Sequence, residues 1–195
     1  MKIGYLGPIG TFTEQAARKL IGQENECETL IPKESIETLL LDLQRGNIDA
    51  AVAPLENSLR GEYKETIKGV QAYNFQIVTS LILDIHLTMG IHPQTKKDAI
   101  TEIWSKDSAL EQCSNYLGKN FQHAPRKEVQ STAYAMEMIM NKSLRNVAAI
   151  GSEYGMNFYG LTIIDKKIEN EGSITKFVYI VKTTNSINPS HLPLL

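Results

Sequence analysis

Short apolar runs rich in β-branched residues alternate along the chain with stretches whose apolar residues return every three or four positions. The first kind suits a strand buried on both faces, and the second lays an apolar stripe along one side of a helix. Read this way, strands fall at 2–6, 26–31, 49–54, 75–79, 81–89, 102–105, 146–150, 161–164 and 176–182. Ile36, Leu39, Leu40 and Leu43 keep the i, i+3, i+4, i+7 spacing of a helix that faces a sheet. Leu110, Cys113 and Leu117 mark a second helical stripe, and Met136 with Met140 reads as core packing on a third. Thr11-Phe12-Thr13-Glu14 has the form of a capping box, with the Thr11 hydroxyl closing the first turn and Glu14 reaching back to the cap amide. A helix is therefore expected to start at Thr11. The alternation defines an α/β class, with a parallel sheet wound by helices.

Two strand-like stretches are long: 75–89 crosses the middle of the chain, and 161–182 closes its end with a gap at 169–172. Taken as two crossings between lobes, they predict the hinged two-lobed architecture of the type II periplasmic binding proteins, whose ligand sits in the inter-lobe cleft. The lobes expected are 1–79 with 170–195, and 80–169. Periodicity is equally compatible with one continuous doubly wound sheet. The stretch 183–195, with two prolines and mixed polarity, reads as a loose end.

Composition removes several classes of function. The 195 residues include 20 Lys and Arg against 22 Asp and Glu, a net charge of −2, so the basic face of a nucleic-acid binder is not expected. No run approaches the roughly 18 apolar residues of a membrane span, and the opening Met1-Lys2-Ile3-Gly4-Tyr5-Leu6-Gly7 is too soon broken to be a signal-peptide core. A cytoplasmic protein is expected. Cys27 and Cys113 lie far apart without a CxxC motif, which supports neither a zinc site nor a disulfide and leaves both as core thiols. His86, His92, His123 and His191 have neither metal-site spacing nor a partnered nucleophile, and each reads as a surface or core histidine.

Five places could carry chemistry. Gly7-Pro8-Ile9-Gly10 ends the first strand at a helix start, where either a plain turn or an anion cradle of backbone amides fits. It is neither GxGxxG nor a P-loop. The run 49–58 ends a buried strand in Glu56, Asn57 and Ser58, at the carboxyl end of a strand where ligands of open α/β sheets collect. Asn57 and Ser58 could equally shape a turn. Ser105, followed by Gln112 a turn or two into the next helix, is a helix cap first and a ligand second, and Ser131-Thr132 has the same look. Ser173-Ile174-Thr175-Lys176-Phe177 enters the last strand, where alternation puts Thr175 and Phe177 on one face and Lys176 on the other.

These pieces, in this order, resemble the catalytic domain of prephenate dehydratase. Residues 7–17 resemble the family's opening G-P-x-G-T-[FY]-[ST] element, and Pro54-Leu55-Glu56-Asn57-Ser58 with Gly61 resembles its P-x-E-N-S-x-x-G element, the more specific of the two. Ser105 with Ala109, Leu110, Gln112 and Cys113 resembles S-H-P-x-A-L-x-Q-C, and Ser131-Thr132-Ala133 with Ala135 resembles S-T-x-x-A. Ala148-Ala149-Ile150-Gly151-Ser152, followed by Tyr159-Gly160-Leu161, matches a fifth element, and Thr175-Lys176-Phe177 stands where the family has T-R-F. Three departures from the pattern stand out: Lys106-Asp107 replace His-Pro, Lys176 replaces Arg, and Ser173 replaces Asn. Many family members continue into a phenylalanine-binding ACT domain. Only about 13 residues follow Lys182, so none is expected here.

The resemblance implies an enzyme that turns prephenate into phenylpyruvate, water and carbon dioxide in phenylalanine biosynthesis, without metal or cofactor and as a homodimer. Related readings are arogenate dehydratase, a non-aromatising prephenate decarboxylase, and a non-catalytic small-anion binding module. By resemblance Thr175 donates to the leaving hydroxyl, Asn57 is a further catalytic residue that can add a fixed donor, and Glu56, if buried with a raised pKa, is the competing acid. Thr11, Ser58, Ser105, Gln112, Ser131, Thr132, Lys176 and Phe177 are the implied substrate contacts. Lys176 either reaches the side-chain carboxylate or pairs with Glu56 or another acid beneath the site, as a point charge where Arg would present a planar fork.

Overall fold

A computed structural model describes residues 1–22 and 28–183, which carry eleven strands and seven α-helices. They divide into two units. The first comprises Met1–Gly7, Thr13–Asp84 and the segment that begins at Ile174; the second comprises Pro8–Phe12 and Ile85–Ser173. The lobes expected from the sequence changed hands at 79/80 and 169/170, whereas here the chain changes unit after Asp84 and Ser173, and the loop before the first helix groups with the second unit.

The sheet of the first unit has β1 (Lys2–Leu6), β2 (Thr29–Lys33), β3 (Ala50–Asn57), β4 (Gly61–Glu62), β5 (Phe75–Ile85) and β11 (Ser173–Lys182). Its order is β2-β1-β3-β11-β5, with β4 hydrogen-bonded to β3. Strands β2, β1 and β3 are parallel, and β11 returns antiparallel to β3. Its helices are α1 (Phe12–Ile21), α2 (Ile36–Arg45) and α3 (Lys64–Ala72). The stripe at Ile36, Leu39, Leu40 and Leu43 is buried as its spacing predicts, against Ile48, Ala51, Ala53, Val178 and Ile180. At about 1.5–3 kcal/mol for each large aliphatic side chain removed from water, this stripe outweighs what helix propensity supplies. Ser35 caps α2, its hydroxyl accepting the Thr38 amide at 3.0 Å.

The sheet of the second unit has the order β10-β6-β9-β7-β8, from β6 (Thr88–Ile91), β7 (Glu102–Ser105), β8 (Arg126–Glu128), β9 (Val147–Gly151) and β10 (Thr162–Lys166). Strands β8, β7 and β9 are parallel, while β6 and β10 are antiparallel to their neighbours. Helices α4 (Asp107–Gln112), α5 (Ser114–Asn120), α6 (Thr132–Asn141) and α7 (Glu153–Tyr159) accompany it. Both sheets are thus mixed rather than wholly parallel.

Two local expectations change. Leu110, Cys113 and Leu117 are all buried, but their stripe is broken at Cys113 into α4 and α5. Asn170 sits at the break, donating its amide to the Gln112 carbonyl at 2.6 Å and accepting the Asn115 amide at 3.0 Å. The second strand runs Thr29–Lys33 rather than 26–31, and Cys27 and the tail beyond Thr183 lie outside the described residues. Cys113 is a core thiol, pushed up to about 12 by burial and by the charge of Glu169. Among the described residues no helix is long and apolar enough to cross a membrane.

Candidate active site

Strand β3 stays buried from Ala50 to Pro54 and then opens into Glu56 and Asn57, where the chain turns back to form β4. The turn needs Gly61 at φ +75°, a backbone conformation that side chains with a Cβ adopt at a cost. Within it the Asn57 Oδ1 accepts the backbone amides of Leu59 at 3.0 Å and Arg60 at 3.1 Å, an Asx turn. The turn reading of Asn57 is therefore correct. It also leaves the amide nitrogen of Asn57 facing the other way, where it donates to Thr175 Oγ1 at 2.8 Å and to the Ile174 carbonyl at 3.2 Å.

Thr175 lies opposite Asn57 in the β3–β11 ladder, and both side chains are buried, 4% and 6% exposed. The Thr175 oxygen is thus a hydrogen-bond acceptor inside the protein, so its own O–H is turned to donate elsewhere. Donation into a hydroxyl oxygen polarises it and strengthens it as a donor. The register shifts between Lys176 and Phe177, which meets Pro54 and leaves Leu55 as the extra residue of a bulge. Phe177 is 2% exposed and belongs to the core side of the sheet.

Glu56, Glu62 and Lys176 form one row across three strands, because Glu56 is opposite Lys176 on one side and Glu62 on the other. Residues directly opposite in antiparallel strands share a face, so the half-buried Lys176 lies on the same face as the two carboxylates. Glu56 is exposed. The burial on which its role as an acid depends is absent. Ser58 is exposed and its hydroxyl accepts the Ile174 amide at 3.1 Å, while its own amide donates to the Ile174 carbonyl at 2.9 Å. It extends the β3–β11 ladder by one residue. Thr66, which sequence reasoning missed, is fully buried and ties α3 to β3 by donating to the Pro54 carbonyl at 2.8 Å.

The second unit holds Thr11, Ser105, Gln112, Ser131 and Thr132. Ser105 is not the cap of α4. It is fully buried, and its hydroxyl donates to the Ile150 carbonyl of β9 at 2.7 Å, while Lys106 occupies the cap position without a side-chain bond. Ser131 is a cap, accepting the Tyr134 amide at 3.0 Å, and the half-buried Thr132 opens α6. Gln112, also half-buried, ends α4.

The loop before Thr11 is held by α7. Ser152 donates to the Gly10 carbonyl at 3.0 Å and Tyr159 donates to the Ile9 carbonyl at 2.9 Å. Gly10 has φ +87°, and a Cβ there would fall 2.7 Å from Tyr159 Cε2, so glycine is required twice over. Ser152 and Tyr159 were legible in the sequence only as part of a motif; the contact they make is not. Of the histidines, His86 pairs through Nδ1 with the buried Glu169 at 2.7 Å, and Glu169 also accepts the Leu87 amide. His92 accepts the Gln94 amide at 3.1 Å, His123 bonds through Nε2 to the Ile100 carbonyl at 3.2 Å, and His191 lies outside the described residues.

Two α/β units, each with its own mixed sheet and core, define the class of the type II binding-protein fold. A nutrient binding protein from Burkholderia cenocepacia shares it with a TM-score of 0.50 at 13% identity, covering 97% of this chain and 88% of that one. The particular family follows from the sequence profile described as Prephenate dehydratase, which matches residues 3–185, and the chain belongs to that family. A bifunctional chorismate mutase/prephenate dehydratase of Pseudomonas aeruginosa is 32% identical over 181 residues, 92% of this chain and 48% of that protein. The prephenate dehydratase structure from Staphylococcus aureus subsp. aureus Mu50 has a TM-score of 0.79 at 26% identity, covering 95% of this chain and 67% of that one. The chain spans about half the length of the first curated relatives it matches.

Proposed function

We propose that this chain catalyses the decarboxylating dehydration of prephenate to phenylpyruvate, a carbon–oxygen lyase reaction. The observation that carries the reading is the buried Asn57–Thr175 hydrogen bond, formed between two of the family's motif elements. In the reaction the ring carbon–carboxylate bond breaks to release carbon dioxide. Its electron pair flows into the ring, the carbon–oxygen bond opposite breaks, and the hydroxyl leaves. One proton makes that hydroxyl water, and aromatisation drives the change.

Hydroxide is a poor leaving group near neutral pH, so the required help is a donor aimed at the leaving oxygen as negative charge develops on it. Thr175 is that donor. Its oxygen accepts from Asn57, so the Asn57–Thr175 dyad is poised before substrate arrives, and a preorganised donor in a buried setting costs no reorganisation at the transition state. Glu56 is set aside as the acid because it is exposed. Thr11, Gln112, Ser131 and Thr132 are proposed as substrate contacts, and Ser105, bonded to the Ile150 carbonyl, as a structural tie between β7 and β9. Lys176, in one cross-strand row with Glu56 and Glu62, supplies the positive charge of that row. A cytoplasmic homodimer working without cofactor completes the reading.

The test is to mix the purified chain with prephenate near neutral pH and follow the products by NMR, beside the Thr175→Val variant. Phenylpyruvate from the wild type alone supports the reading. A keto acid that retains its ring hydroxyl makes the protein a decarboxylase. Turnover of arogenate but not prephenate moves the substrate, and binding without product makes it a small-anion module.

A further inference from the structure

The break between α4 and α5 interrupts bonds that a single helix would make. In an unbroken helix the Glu111 and Gln112 carbonyls would accept the amides of Asn115 and Tyr116, each four residues on. Here one residue of the segment before β11 enters the gap. Asn170 donates its backbone amide to the Gln112 carbonyl at 2.6 Å, and its side-chain oxygen accepts the Asn115 amide at 3.0 Å. Its side-chain nitrogen donates to the Ser114 hydroxyl at 2.9 Å and reaches the Glu111 carbonyl at 3.4 Å. The side-chain amide has one workable orientation, because the Asn115 N–H needs an oxygen and the Glu111 carbonyl needs an N–H. Asn170 therefore serves the last turn of one helix and the first turn of the next.

The wedge is itself held. The two residues before it are anchored to the link ahead of β6: the buried Ile168 donates its amide to the Leu87 carbonyl at 3.0 Å, and the Glu169 carboxylate accepts the Leu87 amide at 2.8 Å and pairs with His86 at 2.7 Å. Asn170 thus reaches the break from a fixed backbone. Helix α4 has only six residues, too few to hold its shape alone, so its last turn depends on what meets it from outside. The residue that ends that turn is Gln112.

We propose that Asn170 is a positioning residue for the reaction and acts through Gln112. The inference rests on the reading above, in which Gln112 contacts the substrate. Asn170 itself touches no substrate in this role. A side-chain amide recognises a substrate oxygen with full effect only when the backbone that carries it is already in place. Without the wedge the last turn of α4 frays, Gln112 samples several positions, and that freedom must be lost at each binding event. The consequence falls on substrate affinity and leaves the Asn57–Thr175 dyad, which is bonded within its own ladder, as it was.

The experiment is steady-state kinetics of the full chain on prephenate for the wild type, Gln112→Ala, Asn170→Ala and the double variant, beside thermal melts. Gln112→Ala is expected to raise KM about tenfold, the scale for losing one hydrogen bond to a charged group. Asn170→Ala should raise KM about three- to tenfold, with kcat within about threefold of wild type in both. Asn170 is exposed, so its melt should shift by only a few degrees. The double variant should be no worse than Gln112→Ala, because a residue that acts through Gln112 then has nothing left to position. Asn170→Asp keeps the acceptor for the Asn115 amide and should lie nearer to wild type than Asn170→Ala. Losses that multiply in the double variant overturn the inference, since general weakening acts whether or not Gln112 is present. An unchanged KM in Asn170→Ala or in Gln112→Ala, from an active wild type, overturns it as well. Failure of the assigned reaction reads differently: the wild type itself then leaves prephenate unchanged, and the inference falls with it.

Discussion

Asn57 holds Thr175 across two strands that lie 118 residues apart in sequence, donating its amide nitrogen to the threonine oxygen at 2.8 Å. The orientation is not free to reverse, because the Asn57 oxygen is already taken by the amides of Leu59 and Arg60. A turn that closes β3 therefore dictates which end of the Asn57 side chain faces Thr175. Asn57→Asp separates the two duties. Aspartate keeps the oxygen that the turn amides need but offers Thr175 an acceptor, so the threonine proton turns inward. Turnover is expected to fall by about 10²–10³, the scale for losing one preorganised donor, while the melting temperature changes by only a few degrees. Steady-state kinetics beside a thermal melt checks this, and a matched loss of both would mean that Asn57 serves the turn alone.

Thr175→Val keeps the shape and removes the hydroxyl. It takes away one of the two acceptors of the buried Asn57 amide and leaves one N–H unsatisfied, which costs about 1–3 kcal/mol of stability. Turnover is expected to fall at least as far as in Asn57→Asp with KM nearly unchanged, because the lost interaction is one made in the transition state. Thr175→Ser should recover most of the rate. A rise in KM with turnover intact would reassign Thr175 to substrate binding.

The sequence pattern located the strands that carry the site but not the contacts that arm it. Ile36, Leu39, Leu40 and Leu43 were legible as a buried face because helical burial is a local property of spacing. Thr175 stood out through its motif, whereas its acceptor role depends on a ladder partner that no spacing encodes. Ser105 read as a cap because a serine after a strand and before a helix usually is one. Its actual partner, the Ile150 carbonyl, is 45 residues away. Strand β8 left no pattern at all, since its three residues are charged and it exists only by pairing with β7. The break at Cys113 is likewise set from outside, by Asn170.

Ser105→Ala follows from that correction. The hydroxyl is fully buried and donates to a carbonyl, so its removal orphans the acceptor rather than a ligand. A stability loss of about 1–2 kcal/mol is expected, with turnover within a factor of about two to three of wild type. Chemical denaturation gives the first number and kinetics the second. A drop of tenfold or more in turnover at unchanged stability would return Ser105 to the ligand contacts.

Asp165 should confer an acid-dependent share of stability. Burial acts to raise its pKa, but hydrogen bonds from Lys97 and Tyr116 and the charge of Lys97 outweigh burial, and the carboxyl is held below its ordinary value of 3.8. A group whose pKa is depressed by folding stabilises the folded state fully above its unfolded pKa and loses that contribution as pH falls through the folded one. The melting-temperature gap between wild type and Asp165→Asn is therefore expected to be constant from pH 7 to about 5 and to shrink below the ordinary aspartate value. Thermal melts at pH 7, 5, 3 and 2 trace it. Lys97→Met should narrow the gap in the same window, because it removes the cation that donates to Asp165. A gap that stays level into acid would show that Asp165 acts by packing and not by charge.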